Sequence, residues 1–426
     1  MEKIRKKHSF LNVKEKSFLI VAGTILLGMA LVITGFPGIT IAAGPKVIKI
    51  GSIQPATGMI AEIGQACRRG NLLAVEDINA RGGIKSMGGA KLELLLGDSE
   101  GKPPIGRSEA ERLIKNGSVC LVGAFMSSVT MAIATLAEQR GVPFVIDIAA
   151  ADPITQQGYK HVFRNFTKSS VFGRCYADYI KDIIAHSKVP IKRAVLMNID
   201  DLFGTVTAKF TLKALKDKNV PIDIVAHITF PHAAKDISTE VAKAKAAKPD
   251  ILIPIVRIAS SRVLLKELYK QKVKLLGIVA PGCPGFYEPE FFKDMRKLAN
   301  FIMDSPPWIN PKSSMFKEVN ARYQKKFNKG PMDTNSAYAY EGVMIIADAL
   351  ERAKSTEPDK IVAALRKTNI KEHITLGGPI VFDKNGDNPN AITGMLQNLN
   401  GRTRLVLPRE FAEVDYVFPT PNLWER

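Results

Sequence analysis

The sequence predicts an α/β protein of two Rossmann-like lobes, each built on a mostly parallel sheet, and three observations point there. From Val47 onward, short runs rich in Val, Ile and Leu alternate with stretches of helical periodicity. The runs are apolar nearly throughout rather than at every second residue, which suits strands covered by helices on both faces. Nine of them precede or reach Ala280, too many for one comfortable sheet, and a chain of 426 residues is long enough for two cores.

Taken in order, strands are expected at 47–53 (VIKIGSI), 91–98 (KLELLLGD), 119–125 (VCLVGAF) and 142–146 (VPFVI). HVFRNF, RAVLMNID, IDIVAHITF, DILIPIV and LLGIVA follow, the last ending at Ala280. Between the first two strands, RRGNLLAVEDIN at 68–79 sets Leu72, Val75 and Ile78 at helical spacing, and Arg81-Gly82-Gly83 stops it. Further helices are expected at 104–116, 129–140, 171–186, 205–217, 236–247, 260–271, 313–328 and 336–354. The tail breaks this rhythm. Asn385-Gly386 and Asn400-Gly401 are turn signals between extended runs, so the chain should finish in β-structure added to one lobe.

The first residues differ in kind. Lys3, Arg5, Lys6, Lys7, Lys14 and Lys16 precede an uncharged run from Phe18 to Phe36, closed by Pro37 and Gly38 and followed by Ala42 and Ala43. A basic segment, an apolar segment and small residues make a secretory signal over 1–43, cleaved after either alanine. An uncleaved anchor is the alternative, because the run approaches the roughly 20 residues needed to span a bilayer. No cysteine directly follows it to accept a lipid. Either way the body is expected in the periplasm or otherwise outside the cytoplasm.

With 46% hydrophobic and 24% charged residues, the composition is globular and excludes disorder as the main theme. The net charge of +19 falls to about +15 without the first segment. Such a charge could serve nucleic acid, yet the body has no Arg/Lys block interleaved with aromatics, and no nucleic-acid partner is expected. Cys67, Cys120, Cys175 and Cys283 lack CxxC spacing, against a metal or redox motif. Export permits a disulfide, and the sequence leaves pairing open.

No catalytic pattern emerges. Gly101-Lys102 is followed by Pro103, so there is no phosphate-binding loop of the GKS/T kind. HExxH and GxSxG are absent, and the six histidines never pair at ligand spacing. A scattered Ser/His/Asp triad is defined by geometry and stays open. The expectation is a non-catalytic protein without cofactor or metal.

Open parallel sheets bind ligands beyond the carboxyl ends of their strands. In VCLVGAFMSSVTMAIATLAEQRG a strand should end near Phe125, with Ser127 and Ser128 at the N-cap of a helix beginning near Val129. Free N–H groups and the helix dipole there favour an anion such as a ligand carboxylate; a plain cap is the alternative.

IKIGSIQPATGMIAEIGQACRRGNLLAVEDINARGGI, GAFMSSVTMAIATLAEQRGVPFV, HVFRNF and NIDDLFG carry a resemblance, as do AYAYEGVMIIADAL, GPIVFDKNGDN and the closing VFPTPNLWER. From about residue 46 to the end, the chain resembles the leucine/isoleucine/valine-binding type of periplasmic binding protein, the type I solute receptors. The resemblance implies lobes of 46–166 plus 308–383 and of 167–307 plus 384–426, joined by three crossing segments. It also implies a ligand held between them by hinge closure and presented to a membrane permease of an ATP-driven (ABC) importer by a protein expected to be monomeric.

Residue by residue, Ser127 and Ser128 match the serine that receives the ligand carboxylate. Ile148, Ala149, Ala150 and Ala151 match a contact loop where amino-acid binders place a Thr hydroxyl and a backbone carbonyl; Ala150 stands at the Thr position. Phe203 matches an aromatic facing the ligand from the second lobe, and Arg257 falls near another aromatic. Ile63 stands where a Tyr or Phe often covers the ligand. Trp308, Tyr338 and Tyr340 add aromatic surface near the crossings. The loop that commonly offers a carboxylate to the ligand ammonium corresponds to APGCPGF at 280–286, around Cys283, and holds no Asp or Glu.

A buried ammonium without its counter-charge costs roughly 3–5 kcal/mol, about two to four decades in Kd. Unless Glu62, Asp147 or Asp152 substitutes, the ligand is expected to carry an acid or polar head and no α-ammonium. Arg257 would then serve a carboxylate, or else be a solvated arginine at a strand end. A ligand sensor of the same fold and a branched-chain amino-acid binder with a relocated ammonium partner are the alternatives. The absence of a second span or DNA-binding motif before Arg426 favours transport over sensing.

Overall fold

A computed structural model describes residues 47–426; the signal expected at 1–43 lies outside the described residues. Five strands alternate with helices in the first sheet: β1 (Val47–Gln54), α1 (Ala61–Ala80), β2 (Lys91–Asp98), α2 (Pro103–Lys115), β3 (Cys120–Gly123), α3 (Ser127–Arg140), β4 (Phe144–Ile146) and β5 (Val162–Arg164). Their order is β2-β1-β3-β4-β5 and every pairing is parallel.

The second sheet repeats the pattern with α4 (Ser169–His186), β6 (Arg193–Ile199), α5 (Leu202–Asp217), β7 (Asp223–Phe230), α6 (Ser238–Ala246), β8 (Ile251–Ile255), α7 (Ile258–Lys270), β9 (Gly277–Ala280), α8 (Pro289–Met295) and β10 (Met303–Asp304). After α9 (Ser314–Phe327), α10 (Thr334–Ala353) and α11 (Pro358–Leu365), the chain returns with β11 (Met395–Leu399) and β12 (Arg402–Leu407). The strand order is β12-β11-β10-β9-β8-β6-β7, with only β11 pairing antiparallel to its neighbours. In both sheets the first strand lies between the second and third, so the order reverses beside it. A crevice opens outside the strand ends at such a point.

Alternation decides which face each strand residue covers. In the first sheet Cys120, Val122, Val145 and Phe163 enter one core, shared with Tyr340, Ile346 and Leu350 of α10. Leu121, Phe144, Ile146 and Val162 enter the other, with Val129 and Ile133 of α3 and Ala110 and Leu113 of α2. Both faces are therefore covered, and β3, β4 and β5 are buried at every residue. Edge strand β7 is half-exposed over most of its length.

Three expectations need correcting. Helix α3 begins at Ser127 with Met126 as its cap and no side chain capping it, so Ser127 and Ser128 are its first two helical residues rather than its caps. Asn385-Gly386 does not turn between two strands. Gly386 accepts a hydrogen bond from Arg164 N (2.7 Å), and Asp387 forms a parallel bridge with Arg164, which docks the segment beside β5. Finally, the β-rich finish is confined to the β11–β12 hairpin, whose turn residues Asn400 (φ 51°) and Gly401 (φ 74°) are left-handed, as a two-residue turn of this hand requires.

The four cysteines are free: Cys67, Cys120 and Cys283 are buried and Cys175 half-buried. Among the described residues no helix is long and apolar enough to cross a membrane, and no His/Cys/Asp/Glu group could hold a metal ion.

Candidate functional site

Loops at the carboxyl ends of β3, β4, β6, β8 and β9 converge on a narrow cavity. Of the residues singled out in the sequence, Ile148, Ala149, Ala150, Phe203 and Arg257 line it. Phe125, Phe166, Phe172, Gly282, Pro284, Tyr287, Pro306, Pro307 and Asn335 complete the wall. Ser127, Ser128, Ile63 and Cys283 do not line it. Ser127 is buried beside the contact loop, its hydroxyl 3.4 Å from Ala151 N. Ile63 packs with Phe125, Ile148 and Ile258 and faces a neighbouring cavity. The Cys283 thiol turns away, toward Pro254 O (3.0 Å) and Val256 N (3.3 Å).

The contact loop after β4 is held from behind by Arg164, which is fully buried. Its guanidinium donates to Ala149 O (3.2 Å), Ala151 O (2.9 Å), Thr155 Oγ1 (2.7 Å) and Asp387 Oδ1 (2.8 Å). Ser169 donates to Ala150 O from its backbone N–H (2.7 Å) and its hydroxyl (3.1 Å). All three carbonyls of the Ala149–Ala151 run are thus engaged by the protein. Lys168 Nζ adds a second cation 2.9 Å from Asp387. Burial alone would raise the Asp387 carboxyl, but the Arg164 charge, then Lys168, outweighs it and holds the group below its ordinary range.

Across the cavity, Arg257 is 7% exposed, so it is not the solvated arginine that the sequence left open. Its guanidinium lies over the rings of Phe203 (4.9 Å) and Phe125 (5.5 Å), and it pairs with Asp201 at 2.7 Å. Asp201 also caps α5 by accepting from Gly204 N at 2.8 Å. Burial pushes Asp201 up, yet the Arg257 charge and the Gly204 N–H bring it below the usual carboxylate range. Phe125 reaches Arg257 from a left-handed backbone (φ 64°), a conformation bulky side chains rarely take.

The acid-free loop after β9 has a geometric counterpart. Gly282 lines the cavity at φ 108°, and a Cβ there would come 2.9 Å from the Phe172 ring. A carboxylate-bearing side chain at that position would be both strained and crowded. Three of the buried acids nearby are committed elsewhere. Asp304 accepts from Gly282 N and Cys283 N, each at 2.9 Å. Asp147 accepts from Gln54 Nε2 (2.6 Å) and Ile148 N (2.7 Å), and Asp152 from Ser170 N (3.0 Å). None of these, nor Glu62, lines the cavity.

Sequence reasoning did not find Phe166, Phe172, Tyr287 or Asn335. Phe166 closes the run HVFRNF, expected to be strand throughout, but lies two residues past the end of β5. Asn335 sits in the first turn of α10, where a polar residue at the head of an apolar helix was the available signal.

The family model described as periplasmic binding protein matches residues 47–397. The Leu/Ile/Val-binding protein homolog 7 of Brucella suis biovar 1 (strain 1330) is 28% identical over 376 residues, covering 85% of this chain and 91% of its own. The leucine-binding protein LivK of Thermotoga maritima MSB8 superposes with a TM-score of 0.73 at 23% identity, over 84% of this chain and 97% of its own. A solute-binding protein of an ABC transporter from Rhodopseudomonas palustris BisB5, solved with 3,4-dihydroxybenzoic acid, gives a TM-score of 0.73 at 21% identity, over 87% and 98%. The similar proteins are solute-binding proteins, not enzymes.

Proposed function

The chain belongs to the periplasmic binding protein family, and on that premise we propose that it is the extracytoplasmic receptor of an ABC importer for a small organic acid, aromatic or aliphatic, that lacks an α-ammonium group. The fold by itself does not choose the solute, since proteins of this shape include a leucine-binding protein and one solved with a dihydroxybenzoic acid. The choice rests on this chain's own lining. One observation carries the reading: among the described residues the cavity wall presents a single cation, Arg257, five aromatic rings and no carboxylate.

An α-ammonium there would meet Arg257 and apolar surface, and the carbonyls of Ala149, Ala150 and Ala151 already have donors. A carboxylate instead gains a guanidinium whose geometry suits it, and the first N–H groups of α3 lie nearby without side-chain caps. Phe125, Phe166, Phe172, Phe203 and Tyr287 suit a flat apolar body.

The proposed mechanism is closure. The wall draws on loops of both sheets, so a solute touching both favours the form in which they meet, and the permease reads that form. The proposed lobes are 46–166 plus 308–383 and 167–307 plus 384–426, working as a monomer.

A thermal-shift screen tests the reading. Benzoate and short aliphatic acids should raise Tm more than leucine or valine, and Arg257→Ala should abolish the shift. A larger shift with leucine than with any amine-free acid would defeat the proposal.

A further inference from the structure

A second, larger cavity adjoins the first and shares Asn335 with it. Its wall carries Arg69, Tyr323, Lys329, Asp333 and Glu288. Most of these have partners. Arg69 Nε donates to the Tyr323 hydroxyl at 2.8 Å, and Asp333 accepts from the backbone and hydroxyl of Ser336 at 3.0 and 2.8 Å.

Glu288 and Asn335 are different. Glu288 is 4% exposed, and neither of its carboxyl oxygens meets a partner in hydrogen-bond geometry among the described residues. Burial pushes its pKa up to about 8, although the N–H groups of Glu288 itself and Gly285 pull it down in part, so the group is mostly neutral at pH 7. Asn335 is 3% exposed, and its side-chain amide makes no hydrogen bond to any described residue. A buried carboxyl left without partners is costly, and the Asn335 amide is open to the cavities it lines. Asn335 lines both cavities, while Glu288, the neighbour in sequence of the solute-cavity residue Tyr287, lines the second.

We propose that Asn335 and Glu288 form a second polar subsite that takes a hydroxyl carried by the bound acid away from its carboxylate. This rests on the organic-acid reading and deepens it. A hydroxyl donates one hydrogen bond and accepts others, which matches a side-chain amide and a neutral carboxyl, each of which does both. An apolar substituent would leave both groups unsatisfied. A cation would face Arg69 and Lys329 across the same cavity. Asn335 meets the hydroxyl directly, and Glu288 does so directly or through one water.

The test is calorimetric titration at pH 7 with benzoate, 3- and 4-hydroxybenzoate, 4-methoxybenzoate and 4-(aminomethyl)benzoate, on the protein and on Asn335→Leu and Glu288→Gln. At least one hydroxybenzoate should bind about tenfold or more tightly than benzoate, and the methoxy compound should not. In both variants the hydroxybenzoate-to-benzoate ratio should fall toward one, whatever happens to benzoate itself. Equal affinity of benzoate and both hydroxybenzoates, a preference that survives in both variants, or tightest binding of the aminomethyl compound would each overturn the inference. Benzoate binding without a hydroxyl preference removes this inference alone. Failure of every benzoate to bind removes the aromatic acid, and this subsite with it.

Discussion

Replacing Arg164 by Met removes the guanidinium that holds the contact loop while keeping much of its volume. Arg164 is fully buried and pairs with Asp387, which is itself 2% exposed. Removing one partner of a buried pair costs about 3–5 kcal/mol, because the other charge stays behind. Lys168 remains 2.9 Å from the second Asp387 oxygen, which puts the expected loss at the lower end, about 3 kcal/mol. The carbonyls of Ala149 and Ala151 lose their donor in the same step, so the loop lining the cavity loosens and solute affinity should fall as well. Urea unfolding followed by circular dichroism measures the first loss and calorimetric titration the second. Adding Asp387→Asn removes the stranded charge, so the double variant should regain part of the stability lost by Arg164→Met. A loss below about 1 kcal/mol, the range of an exposed pair, or a double variant no more stable than the single, would refute this reasoning.

Stability should fall as pH rises from about 5 to 8. Burial raises Asp147 and Glu341 to about 7 and Glu288 to about 8. Each stays protonated in the fold while the unfolded chain ionises near its ordinary value, so stability is lost between those two values at up to about 1.4 kcal/mol per pH unit per group. Asp201 and Asp387, held low by their arginines, act oppositely and lose their contribution as pH falls below the ordinary carboxylate range. A Tm at pH 8 equal to or above that at pH 5 would contradict this. Ser127→Ala removes the hydroxyl 3.4 Å from Ala151 N behind the contact loop, so it should leave Tm within a few degrees of wild type and weaken binding of an organic acid only through that loop; unchanged affinity would make Ser127 only the start of α3. Gly64→Ala should destabilise by about 1–3 kcal/mol, because its Cβ would stand 2.0 Å from Pro55 O and force α1 off β1; a melting curve matching wild type would contradict that packing.

Long elements with buried faces were legible because their periodicity follows from covering both sides of a sheet. Each of the nine expected runs contains a strand, and the helices expected over 104–116, 171–186 and 313–328 lie within two residues of α2, α4 and α9. Short elements were not. β10 has two residues and is held by its neighbours β9 and β11 rather than by its own pattern. α8 and α11 open on Pro289 and Pro358, a proline-first signal that was there to be read. α1 starts at Ala61 rather than near Arg68, because Gly64 lets its first turn lie against Pro55, a tertiary contact that no periodicity reveals.

In the site, residues at strand ends such as Ile148 and Phe203 could be anticipated, since parallel sheets gather those ends. The use of the Ala149, Ala150 and Ala151 carbonyls by Arg164 and Ser169 could not, nor could the meeting of Asn335 with loops more than fifty residues earlier. The meeting of Asn335 with those loops depends on α10 returning to the first sheet after β10, a connection set by three-dimensional packing.

The central claim is that this receptor takes an acid without an α-ammonium. Calorimetric titration of the purified protein with leucine and with benzoate, in the same buffer at pH 7, tests it most directly. Saturable binding of benzoate with leucine at least about a hundredfold weaker is the predicted result, following from an ammonium left without a counter-charge. Micromolar binding of leucine with none of benzoate would contradict it.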